Sequence, residues 1–209
     1  MKIGIIGTGN VAKNLGKALT HKGYSVMFGS SATAKAKELA GEMEHYATGG
    51  TVAHTVHYGE ILVLAVPYRE AEAVLRQSDN YKGKILIDCT NPLSGESSTS
   101  LALGHTTSAA EEIAKLVPDA KVVKAFNTGF SEHIGSPYFG PNDASMFYCG
   151  DDADAKAATV RLIEASGFEA VDAGDLKSAR LLEPLATLMI KLALDQGMGR
   201  EIGIKLLKR

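Results

Sequence analysis

The opening of the chain constrains its fold more than any other stretch. Lys2-Ile3-Gly4-Ile5-Ile6 is a short apolar, β-branched run that passes without a spacer into Gly7-Thr8-Gly9-Asn10-Val11-Ala12, and Val11 to His21 then carries the apolar spacing of a helix. A strand, a glycine turn and a helix in that order make the phosphate-binding unit of a dinucleotide-binding fold. Gly7 permits the tight turn, Gly9 lets the backbone approach a pyrophosphate, and small Ala12 lets the helix pack closely on the strand. The helix start adds unpaired N–H groups and the positive end of its dipole.

Charge then narrows the nucleotide. Lys2, Lys13, Lys17, Lys22, Lys35 and Lys37 all precede Glu38, the first acidic residue of the chain. After a second strand at Tyr24 to Phe28, an NAD-binding unit usually places an Asp or Glu on the ribose 2′-hydroxyl. Here the stretch reads Gly29-Ser30-Ser31-Ala32-Thr33-Ala34-Lys35, without an acid. A carboxylate would repel a 2′-phosphate, whereas two hydroxyls and a lysine bind it. At about 1.5 to 3 kcal/mol for each hydrogen bond to a charged group, such a cluster favours NADP over NAD by roughly tens to thousands of fold. The expected cofactor is NADP(H).

Strand and helix signals alternate from there on. Helices are expected at Thr33 to Gly41, Val52 to Tyr58, Glu70 to Gln77, from Ser108 to before Pro118, and up to Ser166 behind Asp151-Asp152-Ala153-Asp154. Strands are expected at Glu44 to Tyr46, Ile61 to Val66, Lys84 to Cys89, Lys121 to Phe126, Ser145 to Cys149 and Glu169 to Asp172. Ser108-Ala109-Ala110-Glu111 is a capping box. Ser94 to Thr107 reads as a loop, either folding over the site or a mobile surface connection. The last helix, Ser178 to Gln196, is apolar nearly all round, which buries it in the fold or in a dimer interface, and Pro184 lies early enough to start or kink it. The fold class is α/β, a Rossmann-type doubly wound, mostly parallel sheet with a small C-terminal α/β extension ending in that helix. Residues 1–130 form the NADP-binding part and 143–209 the extension, with Ser131 to Asn142 as linker, unless the two are continuous.

Ligands of such sheets bind at the strand C-termini. Gly7, Thr8, Gly9, Asn10, Val11, Ser30, Ser31 and Lys35 are expected on the phosphates. Val66, Pro67, Tyr68, Asn91, Pro92 and Asn127 are expected around the nicotinamide and its ribose. Asn127 is the candidate for positioning the carboxamide, although Asn at a strand end is also a turn former. No acid/base pair stands out. Hydride transfer between nicotinamide and another heterocyclic cofactor needs mainly proximity and orientation. A carbonyl reductase needs a proton donor, for which Tyr68, His133, Arg180 and Lys191 are the candidates.

A net charge of −2 argues against nucleic acid or an anionic membrane as partner, and no apolar run reaches transmembrane length. The chain is expected in the cytoplasm, with Cys89 and Cys149 as buried thiols and no metal site. The 209 residues leave no room for the large helical substrate domain of pyrroline-carboxylate or β-hydroxyacid reductases. A module that binds NADP(H) without turnover, to report redox state, shares these features.

Several phrases together resemble one family. Gly7-Thr8-Gly9-Asn10, Gly29-Ser30, Asn91-Pro92, Val122-Val123-Lys124-Ala125-Phe126-Asn127-Thr128, Cys149-Gly150-Asp151-Asp152 and the run from Asp172-Ala173-Gly174-Asp175-Leu176 to Gly197-Met198-Gly199 look like the NADPH-dependent coenzyme F420 reductases. The oxidoreductase domains of the STEAP metalloreductases are similar. The resemblance implies hydride exchange between NADP(H) and a deazaflavin (F420) or flavin lying against the C-terminal helix and tail, in a homodimer. The family carries Arg where this chain has Ser31, and its F420-using members carry His where it has Asn127.

Overall fold

The structure, a computed structural model, describes residues 1–43, 45–94 and 97–209. One eight-stranded sheet runs through it in the order β12-β11-β8-β5-β4-β1-β2-β3. Its strands are β1 (Lys2–Ile6), β2 (Ser25–Gly29), β3 (Ala47–Gly50), β4 (Ile61–Leu64), β5 (Ile85–Asp88), β8 (Lys121–Lys124), β11 (Ser145–Gly150) and β12 (Glu169–Asp172). The run from β3 to β8 is parallel, β11 is antiparallel to β8, and β12 is parallel to β11. Strand order reverses between β1 and β4, and a crevice opens at such a switch point.

Helices cover both faces, so the central strands read as unbroken apolar runs. On one face α1 (Asn10–His21), α2 (Thr33–Gly41) and α6 (Ala153–Ala165) bury Leu15, Leu19, Leu39 and Leu162 against Ile3, Ile5 and Val63. On the other, α3 (Val52–Tyr58), α4 (Tyr68–Leu75), α5 (Ala109–Leu116) and the start of α7 (Ala179–Leu194) bury Val56, Leu75, Ile113 and Leu182 against Ile6, Leu62 and Leu86. Gly23 closes α1 at φ +82°, the left-handed cap its position predicts. Asp152 caps α6 through the Ala155 N–H at 2.8 Å, and Ser108 caps α5 through the Glu111 N–H at 3.2 Å.

Three expectations are corrected. The strand expected at Glu44 to Tyr46 lies just after it, at β3; Glu44 itself is outside the described residues. The sequence Ala47-Thr48-Gly49-Gly50 has little strand propensity, and it is strand because β2 offers it a partner and α2 packs close by. A Cβ on Gly49 would stand 2.3 Å from the Ala36 carbonyl oxygen. Second, the Ser94 to Thr107 segment is not all loop, since β6 (Leu93–Ser94) and β7 (Ser97–Leu101) pair as a hairpin and β7 lies against α7. Serine and threonine carry no apolar alternation there to announce a strand. Third, Ser131 to Asn142 is ordered rather than an open linker. It holds a 3₁₀ turn at Ser131–His133 and a hairpin of β9 (Tyr138–Phe139) with β10 (Asn142–Asp143), and Ser131, His133 and Ile134 are buried.

Pro184 sits inside α7 without breaking it. The helix buries Ala179, Leu182, Glu183, Ala186, Met189 and Ala193, while Leu181 and Leu188 are 72% and 50% exposed. Beyond it, Ile202 and Ile204 of the tail join Phe130 and Met189 in a small apolar cluster.

Candidate active site

Two cavities share the C-terminal edge of the parallel strands. The first, about 360 Å³, is lined by Gly7, Thr8 and Gly9 after β1, Ser30, Ser31 and Lys35 after β2, and Val66 and Pro67 after β4. Gly7 has φ +129°, and a Cβ there would lie 2.2 Å from the Ala65 carbonyl oxygen. The turn therefore requires glycine. At Gly9 a Cβ would meet nothing within 4 Å, so the space beside it is open to a ligand. The starts of α1 and α2 have no side-chain cap, in contrast to α3, α5 and α6, which Thr51, Ser108 and Asp152 cap. The Lys35 N–H of α2 donates to the Ala32 carbonyl, and the other first-turn N–H groups of α1 and α2 are left for an anion. Glu70 and Val74 of α4 line the same cavity. Glu70 lies within one helical turn of Pro67 and Tyr68, but no motif in the sequence marks it.

The second cavity, about 260 Å³, is lined by Val11, Asn91, Asn127, Phe130, Ala186, Met189, Ile190 and Arg200, among others. Asn127 is 5% exposed. Its Nδ2 donates to Asn91 Oδ1 at 3.0 Å and to the Leu182 carbonyl at 3.1 Å, while Asn91 Nδ2 donates to the Asn127 carbonyl at 3.3 Å. Asn127 Oδ1 is buried with no hydrogen-bond partner among the described residues. Such an orphan acceptor is costly unless an N–H donor completes it, and a carboxamide supplies one. The residue before it, Phe126, is held at φ +59°, a strained conformation for a bulky side chain. The open space at Gly9 and the uncapped starts of α1 and α2 fit the phosphates of a dinucleotide.

Three expected residues, Asn10, Tyr68 and Pro92, line neither cavity. Asn10 starts α1 and is exposed, and Pro92 is buried just behind Asn91. Tyr68 starts α4, and burial, then the carboxylates of Glu112, Glu183 and Asp88, raise its phenol above the usual range. The remaining proton-donor candidates are engaged elsewhere. His133 Nε2 lies 2.8 Å from the Arg200 carbonyl, Arg180 makes a two-pronged pair with Glu111 at 2.8 and 2.7 Å, and exposed Lys191 faces Asp195 at 3.7 Å. Cys89 and Cys149 are both buried free thiols, and burial raises the pKa of each.

Two clusters escaped the sequence reading. Arg200 of the tail lies 4.6 Å over the Phe130 ring and grips Glu132 at 2.5 and 3.0 Å, closing one wall of the second cavity. Arg200 holds the Glu132 carboxyl down at about 2, so the clamp stays ionised through the acid range. Behind the cavity, fully buried Lys124 at the end of β8 bonds Asp88 at the end of β5 and Glu183 of α7, each at 2.9 Å, and also the Thr90 carbonyl. Glu183 in turn accepts the Ala109 and Ala110 N–H groups at 2.9 and 3.2 Å. The helix start thereby offsets the extra negative charge of the trio. Burial works to lower the Lys124 pKa, but Asp88 and Glu183 outweigh it and hold it above the usual lysine value. Charged residues closing apolar strands were the available signal, at Asp88 and Lys124.

A mostly parallel sheet in this order, with uncapped helix starts and an open glycine turn at its switch point, defines a dinucleotide-binding protein of the Rossmann class. Residues 2–92 match the family described as "NADP oxidoreductase coenzyme F420-dependent". The chain is 31% identical to an F420-dependent NADP reductase of Methanothermobacter marburgensis, over 99% of this chain and 98% of the relative. It is 33% identical to metalloreductase STEAP3 of Rattus norvegicus over 88% of the chain, which spans only 36% of that longer protein. A crystal structure of a candidate F420-dependent NADP reductase from Arthrobacter sp. superposes with a TM-score of 0.89 at 30% identity, covering 100% of both chains. The chain belongs to this F420-dependent family of NADP oxidoreductases.

Proposed function

We propose that the chain transfers a hydride between NADPH and a flat heterocyclic acceptor, a deazaflavin such as F420 or a flavin. The observation that carries this reading is the orphaned Oδ1 of Asn127, a residue that lines a cavity walled also by α7 and the Arg200–Phe130 stack. When bound, the dinucleotide supplies the hydride from its nicotinamide ring. Gly7, Thr8, Gly9, Asn10 and Val11 hold the pyrophosphate at the start of α1, and Ser30, Ser31 and Lys35 hold the 2′-phosphate. Val66, Pro67, Tyr68, Asn91 and Pro92 shape the ribose side. Asn127 accepts from the carboxamide and fixes the ring plane, while Phe130, Met189 and Ile190 keep water from the transfer. With both heterocycles carrying the chemistry, no side chain needs to act as acid or base.

In the same reading the chain is a cytoplasmic homodimer that acts on a small molecule and engages neither nucleic acid nor membrane. Residues 1–130 form its NADP-binding part and 143–209 an extension packed on it. The exposed Leu181 and Leu188 of α7 support self-association.

The test is NADPH oxidation by purified protein against F420, FMN, FAD, quinones and ferric chelates. Turnover is expected with F420 or a flavin. Tight NADPH binding with no turnover on any of them would overturn the reading and leave a binding module. For the phosphate end, Ser31→Asp is expected to weaken NADPH by at least about 10-fold, because a carboxylate replaces a donor. NADH should stay within about 2-fold, and equal weakening of both would remove Ser31 from the 2′-phosphate site.

A further inference from the structure

The geometry points to Gln77 as a positioning residue for the 2′-phosphate, acting through Ser31 to make the site choose NADPH over NADH. This rests on the NADP(H) reading of the first cavity. Gln77 follows α4 and lies 46 residues from Ser31 in sequence, yet its Nε2 donates to Ser31 Oγ at 2.8 Å. The same nitrogen also lies 3.4 Å from the Ala73 carbonyl, an acceptor that suits the amide N–H and not the amide oxygen. Turned over, the amide would set its own oxygen against that carbonyl, two acceptors facing each other.

The direction of that bond matters more than its presence. A serine hydroxyl has one proton and two lone pairs. With Gln77 donating into a lone pair, the Ser31 proton is left for another acceptor, and Ser31 lines the cavity. Ser30 has the same polarity, since its Oγ accepts the Ala32 N–H at 3.2 Å. Both hydroxyls therefore stand as donors, beside an uncapped helix start and Lys35. A phosphate dianion accepts several charge-assisted bonds at once, whereas a ribose 2′-hydroxyl cannot use them all. Glu70 also lines the cavity and its charge works against a dianion, which makes a correctly turned donor at Ser31 more important.

The test compares NADPH and NADH binding, by fluorescence of the reduced nicotinamide, in the wild type, Gln77→Leu, Gln77→Glu, Ser31→Ala and the Ser31→Ala/Gln77→Leu double variant. Wild type is expected to bind NADPH at least about 10-fold more tightly than NADH. Gln77→Leu should weaken NADPH about 5- to 10-fold and leave NADH within about 2-fold, the scale of one hydrogen bond between neutral groups. Gln77→Glu should weaken NADPH further, since a carboxylate draws the Ser31 proton away from the phosphate. In the Ser31→Ala background, Gln77→Leu should add nothing. A residue that merely tethers α4 to the turn would change both nucleotides alike. If the wild type prefers NADPH and Gln77→Leu weakens both nucleotides equally, or neither, the role of Gln77 fails and the cofactor reading stands. If the wild type shows no preference, the NADP(H) reading falls and takes this role with it.

Discussion

Replacing Lys124 by Met is expected to destabilise the folded chain by about 3–5 kcal/mol, seen as a fall of roughly 6–20 °C in the melting temperature. The ammonium is fully buried and is shared by Asp88 and Glu183, so methionine fills the volume but leaves two buried carboxylates without their cation. One of these, Glu183, also caps α5, and the loss should loosen α7 over the second cavity as well. The sign of the pH dependence follows from the raised pKa of Lys124. Its contribution is complete below the ordinary lysine value of 10.5 and is lost only as pH rises through the higher folded value. The difference between wild type and variant should therefore be flat through neutral pH and shrink in strong alkali. Urea unfolding that shows less than about 1 kcal/mol between them would mean the trio is not a structural unit.

A second large effect is expected at the glycine turn, where two neighbouring glycines should separate folding from binding. Gly7→Ala places a Cβ 2.2 Å from the Ala65 carbonyl oxygen at φ +129°, so it should damage the fold itself. At Gly9 the backbone is extended, with φ −83° and ψ −174°, and a Cβ meets nothing within 4 Å. Gly9→Val should then fold with a loss below about 1 kcal/mol, the scale of a poorer N-cap. Its side chain would occupy the space read as the pyrophosphate cradle, and NADPH affinity should fall by about 100-fold or more, near 2.7 kcal/mol. Calorimetry and NADPH titration on the same preparation check both halves. NADPH binding within about 3-fold of wild type in Gly9→Val would move the pyrophosphate elsewhere.

Much of the framework could be read from local chemistry. The bounds of α2 and α3, the capping box at Ser108 and the acidic cap at Asp152 are set by residues close in sequence, and they stand where the sequence predicts them. Parallel strands buried on both faces announce themselves as apolar runs, so β1, β4, β5 and β8 were legible to within a residue or two at their ends. β3 and β7 were not, because Ala-Thr-Gly-Gly and Ser-Ser-Thr-Ser become strand only when a partner edge or a covering helix is present.

The sequence by itself determined the glycine turn, the alternation that builds the sheet and the hydroxyl and lysine cluster after β2, since each rests on neighbours along the chain. Tertiary structure alone decided which distant groups complete the site. It brought Glu70 of α4 to the Ser31 cavity and Gln77, just beyond α4, onto the Ser31 hydroxyl, set Arg200 on Phe130, and pinned Asn127 between Asn91 and the Leu182 carbonyl. It also buried Lys124 between two carboxylates from different elements. Spacing along a chain fixes a helix or a turn, but the polarity of a hydroxyl or the orphaning of an amide oxygen depends on groups tens of residues away. Those groups meet only once the sheet has closed.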